Sequence, residues 1–416
     1  MNEYDWYGLD NVAKIFPAIS RGYTSSVFRV DVRLKEQIDP EILEKAVNMV
    51  LPSFPAFMVR MRRGLFWYYF EHNFEKAPVT EEKIYPCSRI DAYKNAGYLF
   101  RFSYYKNKIN LDVYHALSDG TGAMNFLKAV TACYLMLCGK PVGDLNFTSG
   151  KTIKFPAMED SFHRLFSPHS VQKPEKIKAY HIKGTRRPKG NIKVIHGIVE
   201  VNELIKLVKS ENVTVTSYIA AVLAFSIYKT IPDFSHSRPI RLSIPINLRR
   251  FFETETQRNF FTFINIDIEP NKKEYTFDEI LQIVSEQMKQ RTKPEYFIPR
   301  VNYYIQSEKN IFARVIPLFI KNIALRLIYS KSGAETFTCT LSNLGKINVL
   351  PSVEEYIERF DAMLGTSKKN HMTCVLCTFK DQLVVTFTKS NFETYVERNF
   401  FRFLAEKGIK IVLEQN

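Results

Sequence analysis

Apolar and polar positions along this chain change period many times, from two residues to between three and four and back. Phe28, Val30, Val32 and Leu34 alternate with Arg29, Asp31 and Arg33, which predicts a strand buried on one face. Asp39 and Pro40 then open a helix, since Asp caps and Pro suits a first turn; its apolar face is Ile42, Leu43, Ala46, Val47 and Val50. Two hairpins follow, one pairing 56–61 with 65–71 through Arg62, Arg63 and Gly64, the other pairing 99–105 with 109–115 across Lys106, Asn107 and Lys108. Beyond Gly120 a long apolar helix is predicted, stopping near Gly139 and Pro141. Between about 146 and 190 the periodicity fades and Pro156, Pro168, Pro174 and Pro188 accumulate.

The alternation then resumes. A helix is expected from Thr216, strands at 239–246 and 260–268, and a helix over 276–290 opened by the capping box Thr276 and Glu279. Near 311–328 apolar residues mix with Arg314, Lys321 and Arg326. A helix there is expected to pack its apolar face on the body, with a position on a membrane surface as the alternative. Strands at 336–342, 372–379 and 382–388, a helix over 395–407 and a strand at 409–413 complete the chain. This mixture predicts an α/β (α+β) fold. The organisation expected is an N-terminal lobe over 1–150, a connection over 151–190 and a C-terminal lobe over 191–416.

Composition narrows the function classes. The chain has 416 residues, 45 % of them hydrophobic, with 33 Phe and 22 Tyr, enough for a large core and for apolar clefts. The net charge of +15 is concentrated: Lys173, Lys176, Lys178, Lys183, Arg186, Arg187, Lys189 and Lys193 face only Glu175 in one stretch. The remainder is mildly basic, so nucleic-acid binding is not expected. The stretch reads as a solvated linker, or else as a steering surface for phosphates or an acidic partner. Six cysteines make no disulfide framework; Cys374 and Cys377, three apart on a strand, read as packed thiols rather than a metal pair. Acids at Glu3 and Asp5 do not suit a secretion signal, and no run of about 18 apolar residues occurs, so a cytoplasmic protein with no membrane-spanning helix is expected.

His115 carries the chemistry. It shares strand parity with Ile109, Leu111 and Val113, so it points to the buried side, yet it stands where the strand ends. Alone it would read as a core histidine. It is followed by Ala116, Leu117, Ser118, Asp119 and Gly120, which completes His-x-x-x-Asp-Gly between a strand and a helix. Downstream come Pro245-Ile246-Asn247-Leu248-Arg249, then Asn259-Phe260-Phe261, then Thr340-Leu341-Ser342-Asn343-Leu344-Gly345 before Pro351. Upstream lies the segment from Phe54 and Pro55 to Arg60, and near the C-terminus the segment from Asn399 to Ile409.

In order and spacing these segments resemble the chloramphenicol acetyltransferase/condensation-domain superfamily, closest to bacterial alcohol acetyltransferase-like proteins, over almost the whole chain. Two features depart from its other branches. Tyr114 stands where condensation domains carry a first histidine, and the Asp-Phe-Gly-Trp-Gly motif of plant acyltransferases is absent. The resemblance implies two lobes, each a mixed sheet flanked by helices, with an active-site channel at their interface. It implies transfer of an acyl group from acyl-CoA, as co-substrate and without a metal, to a small-molecule hydroxyl or amine. His115 would be the general base. Asp119 would turn away from substrate and pair with Arg249, or failing that Arg60, with Asn247 beside it and Gly120 allowing a tight turn. Thr340, Ser342 and Asn343 are candidates for stabilising the oxyanion, although Asn343 and Gly345 read equally as a turn. The alternatives are a carrier-protein-dependent condensing or ester-forming enzyme and a non-catalytic ligand-binding relative. A monomer is expected; an acyl carrier protein and a peripheral membrane contact stay open as partners.

Overall fold

The computed structural model describes residues 6–143, 158–167, 170–234, 237–309 and 315–416. Among these, fifteen strands form three sheets. A five-stranded sheet has the order β12-β2-β7-β6-β5: Ile357–Leu364, Val27–Leu34, Lys108–Tyr114, Phe100–Tyr105 and Val79–Glu81. A seven-stranded sheet has the order β10-β9-β11-β13-β14-β8-β15: Phe261–Ile268, Ile240–Asn247, Cys339–Lys346, Met372–Phe379, Gln382–Lys389, Lys193–Glu200 and Ile411–Gln415. A small sheet joins β1 (Trp6–Gly8), β4 (Tyr68–His72) and β3 (Val59–Arg63). Both large sheets mix parallel and antiparallel neighbours.

Two apolar cores stand on these sheets. The first packs the helices Pro40–Val50 and Gly120–Leu137 on the five-stranded sheet through Leu43, Val47, Phe126, Leu127, Leu111 and Val113. Asp39 caps the first helix through the Glu41 and Ile42 amides. The second packs Val215–Tyr228, Phe277–Arg291 and Tyr395–Glu406 on the seven-stranded sheet. The capping box at Thr276 and Glu279 is formed in full. Cys374 belongs to the second core and Cys377 to the first, so the strand pleat sends the two thiols to opposite faces and they cannot share a ligand.

Four observations bear on these expectations. First, β2 is buried on both faces, with Arg29 and Asp31 as deep as Phe28 and Val30. The two large sheets stack, and ion pairs run through the layer they share: Arg29 pairs with Asp112 at 2.8 Å, Lys108 with Asp31 at 3.1 Å, and Arg359 with Asp361 and Glu414, both at 2.8 Å. Second, β12 lies late in the sequence yet pairs with β2 (Asp361 opposite Asp31), so residues 191–416 do not stay with one sheet. The boundary at 150 falls outside the described residues. Third, the helix expected near 311–328 runs from Leu318 to Tyr329 and turns its apolar side outward; 311–314 lie outside the described residues. Fourth, much of the basic stretch is tied down: Arg187 donates to the Ser390 carbonyl, Thr185 accepts from the Phe392 amide, and the Arg186 guanidinium lies 4.5 Å from the Tyr23 ring centre. Among the described residues, no helix is long and apolar enough to cross a membrane, and no group of three His, Cys, Asp or Glu could hold a metal ion.

Candidate active site

His115 is the first residue past β7, where its amide donates to the Ser26 carbonyl (2.8 Å). The preceding side chains of its parity are sealed in the first core, whereas His115 as a residue is half-buried, with its ring held by packing. Phe16 stacks on it (ring centres 4.8 Å apart, planes at 15°), and Phe28 and Phe261 lie at 4.9 and 5.4 Å.

Asn259 fixes the imidazole's orientation and its proton. Its Nδ2 donates to the His115 carbonyl (3.0 Å) and to Asp10 Oδ2 (3.1 Å), so its Oδ1, 3.1 Å from His115 Nδ1, must act as an acceptor. Nδ1 therefore carries the proton, and Nε2 is left with a lone pair. Among the described residues no protein group bonds to Nε2. Burial lowers the His115 pKa from its ordinary value, opposed by hydrogen bonding to its own backbone, by Asp119 and by Asn259. Behind Asn259, burial pushes the Asp10 carboxyl up to about 6 against the pull of Arg258, whose Nε is 3.7 Å away. The Ala13 amide also donates to Asp10 Oδ1 (2.7 Å).

Asp119 has a different task. Its Oδ1 accepts from the Thr121 and Gly122 amides (3.1 and 3.0 Å), capping the helix Gly120–Leu137. Its Oδ2 accepts from Arg249 Nη1 (2.7 Å) and from the Phe260 amide (2.9 Å). Arg249 also donates to the Thr256 and Arg258 carbonyls, so it staples the His115 loop to the segment leading into β10. Arg60 lies elsewhere, paired with Glu71 at 2.6 Å. Asn247 receives the Arg249 amide and donates to Thr121 Oγ1 (3.1 Å). A Cβ on Gly122 would stand 2.4 Å from the Gln257 carbonyl oxygen and one on Gly120 would stand 2.8 Å from Leu344, so both glycines permit close approach.

The oxyanion candidates divide. Asn343 is committed, donating to Thr216 Oγ1 (2.9 Å) and accepting from the Gly345 amide (2.8 Å). Thr340 and Ser342 are half-buried on β11 and share the strand parity of Leu344, which reaches Gly120. Two cavities, one lined by Tyr180, His371 and Lys389 and the other by Arg29, Lys108 and His196, lie apart from this constellation. Sequence reasoning gave no role to Asn259 and missed Asp10 and Phe16. Asn259 could have been suspected beside Phe260; nothing in the spacing marks the other two.

The five-stranded sheet thus contributes a histidine past a strand end, and the segment between β9 and β10 of the seven-stranded sheet contributes Asn259 and Arg249 to hold its ring and loop. The architecture is the two-lobed fold of condensation domains and related acyltransferases. No family model matches the sequence and no curated protein is similar enough to match. Solved structures do match. Polyketide synthase associated protein 5 from Mycobacterium tuberculosis superposes with a TM-score of 0.66 at 11% identity, over 95% of this chain and 96% of that one. The starter condensation domain of rhizomide synthetase, in complex with C8-CoA and Leu-SNAC, gives 0.58 at 12% identity over 96% and 94%. Trichothecene 15-O-acetyltransferase from Fusarium sporotrichioides gives 0.57 at 11% identity over 97% and 96%.

Proposed function

We propose that this protein is an acyltransferase that moves an acyl group from acyl-CoA to a hydroxyl or amine. The observation that carries the reading is the Asn259 bridge, which leaves Nε2 of a half-buried His115 as a proton acceptor. The acceptor's O–H or N–H gives its proton to Nε2 as the oxygen or nitrogen attacks the thioester carbonyl. The carbonyl π pair moves to oxygen, where the Ser342 or Thr340 hydroxyl can donate. Collapse of that oxyanion breaks the C–S bond. Coenzyme A leaves as the thiolate, and the imidazolium returns the proton to it. No acyl-enzyme forms. Asp119 and Arg249 take no proton; they hold the loop. Support also comes from the neighbours, one an O-acetyltransferase and one holding C8-CoA.

His115→Ala should lower thiol release from acyl-CoA by about 10²–10⁴-fold with the circular dichroism spectrum unchanged. Turnover equal to wild type in the folded variant would end this reading.

A further inference from the structure

The helix Leu318–Tyr329 is built the wrong way round for a helix that packs on a protein. Phe319, Ile320, Ile323, Leu327 and Ile328 are 46–59 % exposed along one side. Its polar residues point inward and are satisfied there. Lys321 Nζ donates to the Phe66 carbonyl (3.0 Å) and sits over the Trp67 ring; Asn322 donates to Tyr68 Oη (3.1 Å); Arg326 donates to the Ala18 carbonyl (3.0 Å). A helix that buries its apolar stripe in its own protein shows the opposite arrangement. Packing to the body is therefore already complete, and the apolar side is left over.

That side is continued by the β3–β4 hairpin. The Leu318 amide donates to the Leu65 carbonyl (2.9 Å), which sets exposed Leu65 and Phe66 beside exposed Val315 and Ile316. Charge identifies the occupant. Arg62 and Arg63 are exposed at the same hairpin tip. Glu71 is shared by Arg60 and Arg62, so the hairpin stays net positive, and residues 315–330 hold no acid, in a chain of net charge +15. A contiguous apolar surface that holds no acid, beside a hairpin tip of net positive charge, fits lipid with anionic headgroups.

We propose that this face docks on an anionic bilayer. Its location bears on the site: Arg326 holds the helix to Ala18, in the same short helix as Phe16, which stacks on His115. Resting on the acyl-transfer reading above, docking sets the helix that carries Phe16 beside the lipid, and the acceptor is then an amphiphile drawn from the bilayer.

The test is flotation with phosphatidylcholine vesicles with and without phosphatidylglycerol. The wild type should bind the anionic vesicles about tenfold more tightly than the neutral ones. Phe319→Ser/Ile323→Ser/Leu327→Ser should bind roughly a hundredfold more weakly while it keeps turnover of a short water-soluble alcohol. Ile323→Trp gives a second reading, a blue shift of its emission on anionic vesicles. No flotation, a triple variant that floats like the wild type, or a wild-type dimer that the triple variant dissolves would each overturn the proposal. His115→Ala should float as the wild type does, so loss of binding and loss of catalysis are read separately.

Discussion

Asp119 is surrounded by four donors: two helix-start amides, the Phe260 amide and the Arg249 guanidinium. Asp119→Ala removes all four acceptor contacts at once. Stranding a buried charge costs about 3–5 kcal/mol, and Arg249 keeps two carbonyl partners, so the lower end applies. The lost cap adds about 1 kcal/mol and the orphaned Phe260 amide about 1 kcal/mol more. The total, about 5 kcal/mol, rivals the whole stability of many domains. Asp119→Asn is nearly isosteric but should not rescue the fold. Its Oδ1 can keep the cap, yet its amide hydrogens then face Arg249 and the Phe260 N–H, donor against donor. Both variants should therefore lose several kcal/mol in urea unfolding followed by circular dichroism, with Asn only about 1 kcal/mol better, the worth of the cap. If both stay within about 1 kcal/mol of wild type while thiol release falls a hundredfold, Asp119 acts on the substrate, and the stapling argument is wrong.

Two more outcomes follow from the ring's surroundings. His115 must be neutral to accept a proton, so activity falls as pH drops through its pKa; burial lowers that pKa, which puts the acid limb of kcat/KM below about 6.5. Thiol release measured between pH 4.5 and 8 would count against the assignment if the limb sat above that value. Asn259→Ala removes a bond that favours the protonated ring, so the acid limb should move to still lower pH while turnover drops by about 10–100-fold, part of a general base's worth. An unchanged profile together with unchanged turnover would reduce Asn259 to packing.

How far the sequence speaks depends on whether a signal is local. Ile109, Leu111 and Val113 are buried as their alternation predicts, because the pleat of a single strand sets it. The same alternation misreads β2. Arg29 and Asp31 look like a solvent face, yet they meet Asp112 and Lys108 inside a layer between two sheets. A charge neutralised by a partner from another strand has the same letter as one solvated by water. For that reason β12, whose Arg359 and Asp361 lie in this layer, was not foreseen at all.

The site follows the same division. His115, Asp119 and Gly120 stand in one short motif, and Arg249 was reachable only through resemblance to a family. Phe16 reaches the ring, and Asp10 reaches Asn259 behind it, from some hundred residues away, and no spacing rule connects them to it. The helix Leu318–Tyr329 gives the sharpest lesson. Periodicity establishes that Phe319, Ile323 and Leu327 share a stripe but not which way the stripe faces. Its direction is decided by where Lys321, Asn322 and Arg326 find acceptors, and they find them in the body: at Phe66, Tyr68 and Ala18. With the polar side inward each of these groups has a protein partner, and the apolar side faces out.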